Sequence, residues 1–199
     1  MTILVALKDE KNNRVILGTD KQVTYGSTKG ITDTKMITIN IPVVDGYGET
    51  IRVDKCYIAT AGWDFIHNFI AYGFNTPSMD NNMLFIEYLQ KKFLKKLKNE
   101  LTDQNLTEEN SNQFNSESYF IIVYYDELFN VQFNFGVSKL DDGYLVEGSG
   151  YNVALGSLYT SKKMNPNIGA IKRVKLAIES AMEYNIYCGG GVDIRIIDY

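Results

Sequence analysis

Apolar and polar positions alternate from the first residues of the chain. Ile3, Val5 and Leu7 interleave with Leu4, Ala6 and Lys8, which predicts a mostly buried strand. Residues 9–13 read as a polar turn, and 14–19 as a returning strand closed by Asp20. A polar stretch, 21–34, follows and holds Gly26 and Gly30. Residues 35–42 are β-rich again, 45–48 carry turn chemistry (Asp45, Gly46, Tyr47, Gly48), and 50–61 read as the return strand.

The period then changes. Residues 63–74 have helical spacing that Pro77 ends, and 80–101 predict a second helix with Ile86, Leu89, Phe93 and Leu97 on one face. Lys91, Lys92, Lys95, Lys96 and Lys98 fall largely elsewhere and read as its solvated side. Residues 102–118 are rich in Asn, Gln and Glu and read as a loop, after which strands are predicted at 119–125, 129–135 and 143–147. Two further helices are expected, at 150–159 and at 167–184 with Ala170, Val174, Ala177, Ile178 and Ala181 on one face. Gly189, Gly190 and Gly191 break the second, and 192–197 form a last strand.

Helices are thus grouped rather than interleaved with strands, which argues for α+β over a doubly wound parallel sheet. Two antiparallel sheets stacked face to face, each covered outside by a helix pair, accommodate the order: a four-layer αββα sandwich. With no internal repeat and no Pro/Gly/Ser linker, residues 1–199 read as one domain.

Composition narrows the function. At 45% hydrophobic and 22% charged, the 199 residues do not fit disorder, collagen or a disulfide scaffold. Twenty basic against 24 acidic side chains give a net charge of −4, without the basic footprint of a nucleic-acid binder. Two cysteines, Cys56 and Cys188, and one histidine, His67, are too few for a disulfide framework or a metal site, so no cofactor and no metal are expected. Both cysteines read as buried small residues, and His67 as structural or surface. The apolar N-terminus is interrupted at once by Lys8, Asp9, Glu10 and Lys11, unlike a secretory signal, and the longest apolar run, 120–125, is too short for a membrane. A cytoplasmic protein is expected, and the sequon at Asn105 reads as chance.

One candidate for chemistry stands at the start. Methionine before a small residue such as Thr2 is normally trimmed, which would leave Thr2 with a free α-amine. Its hydroxyl is then the nucleophile and its amine, with a reference pKa of about 7.7–8.0, the base; no histidine is needed. Only Met1 precedes Thr2, so methionine removal is the activation expected.

The company Thr2 keeps is informative. The series runs Thr2-Ile-Leu-Val-Ala-Leu-Lys, Val15-Ile-Leu-Gly-Thr-Asp20, Val23-Thr-Tyr-Gly26, Lys35, Thr60-Ala-Gly62, Gly148-Ser-Gly150 and Gly189-Gly-Gly-Val-Asp193. In order and spacing, over about the whole chain, it resembles the β-type subunits of the proteasome and the related shell of the bacterial ATP-dependent protease. The resemblance implies the N-terminal nucleophile hydrolase fold, the same αββα sandwich, and threonine-type endopeptidase activity in a ring or stacked homo-oligomer. The expected partners are a peptide or protein substrate and an ATPase unfoldase.

By the same resemblance Thr2 is the nucleophile, Asp20 and Lys35 its supporting pair, Gly62 the donor to the oxyanion, and Ser149 an auxiliary hydroxyl near the terminal amine. Thr24 would pair its backbone with an extended substrate. Val23, Ile37, Thr60 and Asp64 would line the pocket, Asp64 favouring basic side chains. A buried Lys35 ammonium would keep the amine a free base and favour alkoxide character on the hydroxyl, with Asp20 offsetting its charge. Lys35 is preferred to Lys29 because Met36-Ile37-Thr38-Ile39 puts it at a strand start. Taken alone, Asp20 reads as a turn residue, Lys35 as an exposed strand residue, Gly62 as a strand-to-helix turn and Ser149 as a helix cap.

The chain also departs from the family pattern. Asn185 and Cys188 stand where many proteasome subunits carry Asp and Ser, Lys21-Gln22 replaces Ser-Arg, and the hairpin over 41–54 is longer than usual, with no catalytic role assigned. An inactive shell protein and an amidase acting on a small amide therefore stay open.

Overall fold

The computed structural model describes residues 2–103 and 115–199. The order is β1 (Ile3–Asp9), β2 (Arg14–Asp20), β3 (Gln22–Tyr25), β4 (Thr28–Ile31), β5 (Met36–Val44), β6 (Thr50–Ala61) and α1 (Asp64–Asn68), which a π-turn over Phe69–Gly73 extends. Then come β7 (Met79–Asp80) and α2 (Phe85–Tyr88), which runs through a π-segment, Leu89–Phe93, into α3 (Leu94–Asp103). The second half holds β8 (Tyr119–Tyr124), β9 (Glu127–Val131), β10 (Val137–Leu140), β11 (Tyr144–Gly148), α4 (Tyr151–Met164), α5 (Ala170–Tyr184) and β12 (Val192–Asp198).

Four strands form one sheet in the order β11-β1-β2-β12, all antiparallel. Six form another, β10-β9-β8-β6-β5-β7, antiparallel except at its edge, where the two residues of β7 run parallel to the end of β5. That edge corrects the expectation of two purely antiparallel sheets: after α1 the chain returns alongside β5 instead of turning back on it. A second correction concerns 21–34, where β3 and β4 pair as a separate hairpin around Gly26 and Ser27. A third is the strand expected over 129–135. It stops at Val131, and Gln132 N–H bonds Gly136 O (2.9 Å) to turn the chain into β10. Part of the predicted 102–118 loop, residues 104–114, lies outside the described residues.

The period-two strands bury both faces. Ile3, Val5, Leu7 and Ile16 pack against Val174, Ala177, Ile178 and Ala181 of α5 and Ala154 and Leu158 of α4. The alternate residues Leu4, Ala6, Val15 and Leu17 meet Met36, Ala59, Ile121 and Val123 of the six-stranded sheet. The opposite face of that sheet, with Ile39, Ile41, Ile58 and Phe129, carries the helical segment 64–103 through Ile66, Tyr88, Phe93 and Leu97. Phe129 is fully buried there, its ring 5.2 Å from that of Phe85. Phe129→Ala should cost about 3–5 kcal/mol of unfolding free energy, read by urea denaturation; a loss under about 1 kcal/mol would mean that this cluster does not hold the helices.

Antiparallel pairing explains how distant residues converge. The start of β1 faces the end of β2 (Leu4 opposite Thr19) and the end of β11 (Ile3 opposite Gly148). Thr2, Asp20 and Ser149 are therefore neighbours by register. In the other sheet Met36 pairs with Ala59, which sets Lys35, just before β5, beside the end of β6. Lys35 O there accepts Thr60 N–H at 3.0 Å.

Candidate active site

Thr2, Asp20 and Lys35 are all buried, Asp20 with no exposure at all. The Thr2 hydroxyl donates to Asp20 Oδ1 and accepts from Lys35 Nζ. Lys35 Nζ also donates to Asp20 Oδ1 (2.8 Å) and to Gln22 O (2.5 Å). The carboxylate is further satisfied by backbone: Ile3 N–H on Oδ1 at 3.0 Å, and Gln22 N–H and Gly189 N–H on Oδ2 at 3.3 and 2.9 Å. A buried ion pair is tolerable when its remaining hydrogen-bonding capacity is met in this way. Burial holds the Lys35 ammonium below the ordinary lysine value, while the neighbouring Asp20 carboxylate works in the opposite direction.

Ser149 lies against the other end of Thr2. Its N–H and its hydroxyl both donate to Thr2 O, at 2.8 and 3.2 Å. It does not cap α4, whose cap position is Gly150 and lacks a side-chain bond. Gly148 must be glycine here: its φ is +102°, and a Cβ would stand 2.2 Å from Thr2 O. Asn185 Nδ2 donates to Ser149 O at 2.6 Å, so the Asn185 departure leaves a neutral contact to this loop. Cys188 Sγ lies 3.6 Å from Ser149 Oγ, and burial pushes its thiol up.

A cleft of about 470 Å³ opens beside Thr2. Its walls are the β3–β4 hairpin and the turn from Gly62 into α1, with Lys35 and Thr60 also lining it. Val23, Thr24, Thr60 and Asp64 line it, and Ile37 does not. Ile37 lies on the same face as Lys35 but further along β5, buried among the residues that meet the helical segment.

His67, read from the sequence as structural or surface, also borders the site. It lines the cleft, with Nδ1 2.9 Å from Thr60 Oγ1, and burial lowers its basicity against the pull of Asp64. The i, i+3 spacing from Asp64 carried that signal, since both then share one helix face. Tyr25 and Trp63, to which the sequence assigned no site role, also line the cleft, and Tyr25 OH donates to Asp64 Oδ2 at 2.8 Å.

On the other side of Thr2 a second depression, about 410 Å³, is bounded by Gly62, Tyr119, Glu147 and Ser149. Among the described residues, no group of three His, Cys, Asp or Glu side chains could hold a metal ion, and no helix is long and apolar enough to cross a membrane.

No protein-family model and no curated protein sequence matches this chain. In three dimensions the picture is different. The chain is similar to BPH of Thiobacillus denitrificans, a structure solved with epoxomicin bound (TM-score 0.74, 17% identity, 98% of each chain covered). It is similar to HslV of Trypanosoma brucei (TM-score 0.61, 16% identity, 99% of each covered). It also resembles the Anbu complex of Pseudomonas aeruginosa, a helical assembly (TM-score 0.63, 11% identity, 98% of this chain and 81% of the other). The chain therefore has the α+β fold of the proteasome-like, HslV-type proteins, and the resemblance read from its motifs holds in its tertiary structure.

Proposed function

We propose that the protein is a threonine-type endopeptidase of the N-terminal nucleophile class, with Thr2 as nucleophile once Met1 is removed. The observation that carries this is the Thr2 hydroxyl held between the Lys35 ammonium and the Asp20 carboxylate at the mouth of a cleft. In this reading residues 1–199 form one domain, and the two sheets with their helices make a four-layer αββα sandwich.

The reaction follows from the groups present. Thr2 Oγ1 bonds to the peptide carbonyl carbon as its proton passes to the freed α-amine, and Gly62 N–H takes the developing oxyanion. The C–N bond then breaks and the leaving nitrogen takes the proton from the amine. Water, deprotonated by the same amine, hydrolyses the ester and restores Thr2. Lys35 keeps the amine from binding a proton at neutral pH and stabilises charge on Oγ1; Asp20 fixes Lys35. Ser149 holds the Thr2 carbonyl and so aims the hydroxyl. Val23 and Thr24 border the substrate strand, and Asp64 favours basic side chains on the acyl side. Assembly of several copies, a cytoplasmic setting and an ATPase unfoldase partner belong to the same proposal; likeness to the Anbu complex, a helical assembly, supports the first.

The experiment is mass spectrometry of the N-terminus followed by an epoxyketone probe that captures both the hydroxyl and the amine of a terminal threonine. Labelling is expected on Thr2 of the trimmed chain and none on Thr2→Ala. Labelling that survives the substitution removes the mechanism, and a retained Met1 with no labelling favours the inactive shell.

The pH dependence has a definite sign. Catalysis needs the amine neutral and Lys35 charged. Activity should rise as the amine loses its proton, below its reference range of about 7.7–8.0 because a cation adjoins it. It should fall as Lys35 loses its proton, below the ordinary lysine value because burial lowers it. A profile of kcat/KM that still climbs through the ordinary lysine range would exclude a role for the Lys35 charge.

A further inference from the structure

Thr2 and Gly62 form the wall between two openings. The cleft on one side carries the free strand geometry of β3, which suits the acyl half of a substrate. A carbonyl held at Thr2 must then send its leaving half into the depression on the other side. This step rests on the proposed reaction; the chemistry of the depression does not.

The depression has a distinctive character. Glu147, on β11, stands opposite Leu4 and so projects from the face of its sheet that meets the other sheet. Its Oε1 accepts Asn130 Nδ2 (2.5 Å) and Gln132 Nε2 (3.3 Å), two amides of that other sheet and the turn after it. Those neutral donors fix the carboxylate but do not neutralise it, and among the described residues it makes no ion pair. Among the described residues no cationic side chain lines the depression, Tyr119 supplies an aromatic wall, and the exposed Glu117 adds a second negative charge. A half-buried, pre-oriented carboxylate without a counter-charge attracts a cation, and an aromatic wall suits the alkyl stem and charged head of a long basic side chain.

We propose that the depression beside Ser149 is a leaving-side subsite that takes a Lys or Arg side chain just after the scissile bond, with Glu147 as the residue that selects it. Glu147 is a specificity-determining residue in this assignment and takes no part in bond making.

The test separates recognition from turnover. Full-length Thr2→Ala protein, which cannot form the ester, is titrated with matched short peptides carrying lysine or uncharged norleucine just after the scissile position. Lysine should bind about threefold to fivefold tighter, as a partly exposed charge pair allows, and the advantage should shrink with added salt. Glu147→Gln, which keeps an oxygen for the two amides, should abolish the advantage; Glu49→Gln, an exposed carboxylate of the β5–β6 hairpin, should preserve it. Equal binding of the two peptides overturns the subsite, and so does a lysine advantage that persists in folded Glu147→Gln. Should the glutamine variant fail to fold, the lysine-to-norleucine ratio and its salt dependence in the Thr2→Ala chain decide alone. A native chain that cleaves neither peptide while its Thr2→Ala form still prefers lysine overturns the peptidase reading and leaves the subsite standing.

Discussion

Lys35→Met should abolish peptide hydrolysis and lower the unfolding free energy by about 3–5 kcal/mol, the cost of stripping one partner from a buried pair. Asp20 has no exposure to water, and Lys35 Nζ is the only cation bonded to it among the described residues. Methionine matches the lysine stem in volume, so packing changes little and the loss is electrostatic. Asp20 keeps its bonds from Ile3, Gln22 and Gly189, which moderates the penalty without removing the charge. The activity loss has a separate cause, because Thr2 Oγ1 loses the donor that stabilises its developing charge. A double variant distinguishes the two. Lys35→Met with Asp20→Asn removes both charges and should regain part of the stability but none of the activity. Urea denaturation and hydrolysis of a fluorogenic peptide read the two effects; a single variant within tenfold of native activity would overturn the assigned role of Lys35.

Gly62→Ala should lower stability by about 3 kcal/mol, a melting shift of about 6–12 °C for a chain of this size, and reduce kcat by about 10²–10³. Gly62 has a φ of +122°, and a Cβ there would lie 2.1 Å from Glu117 O and 2.7 Å from Ser118 Cα. Both are backbone atoms that cannot swing aside, so the segment 61–63 must move. That segment borders both openings beside Thr2, and in the proposed reaction it holds the oxyanion donor. Gly46→Ala is the matched control, since its Cβ meets nothing within 4 Å and its φ is not positive. Differential scanning calorimetry and steady-state kinetics would show it; equal melting of the two variants would mean that the turn at Gly62 relaxes freely.

Much of the site could be anticipated from order along the chain because antiparallel register converts spacing into proximity. Asp20 closes the strand that returns beside β1, and Gly148 ends the strand on its other flank, so two local patterns set both next to Thr2. Lys35 against Lys29 was decidable from the β-pattern that follows Lys35; the structure puts Lys29 in the β3–β4 hairpin, exposed. Ile37 was misplaced because its position in a motif says nothing about how far along β5 the cleft reaches before the helices cover the sheet. His67 was passed over because its i, i+3 spacing from Asp64 marks a shared helix face without showing that the face borders a cleft.

The sequence by itself determined the alternation that buries both faces of β1, the grouping of helices that excludes a doubly wound sheet, and the residue types able to act as nucleophile, carboxylate and ammonium. Those properties are local, written in periods of two and 3.6 and in side-chain chemistry. Only the tertiary structure decided that the polar stretch after Asp20 pairs as a cleft wall, that β7 joins the sheet edge in parallel, and that Glu147 reaches across to amides of the opposite sheet. Each of these depends on contacts between residues far apart in the chain, whose energies no local pattern encodes.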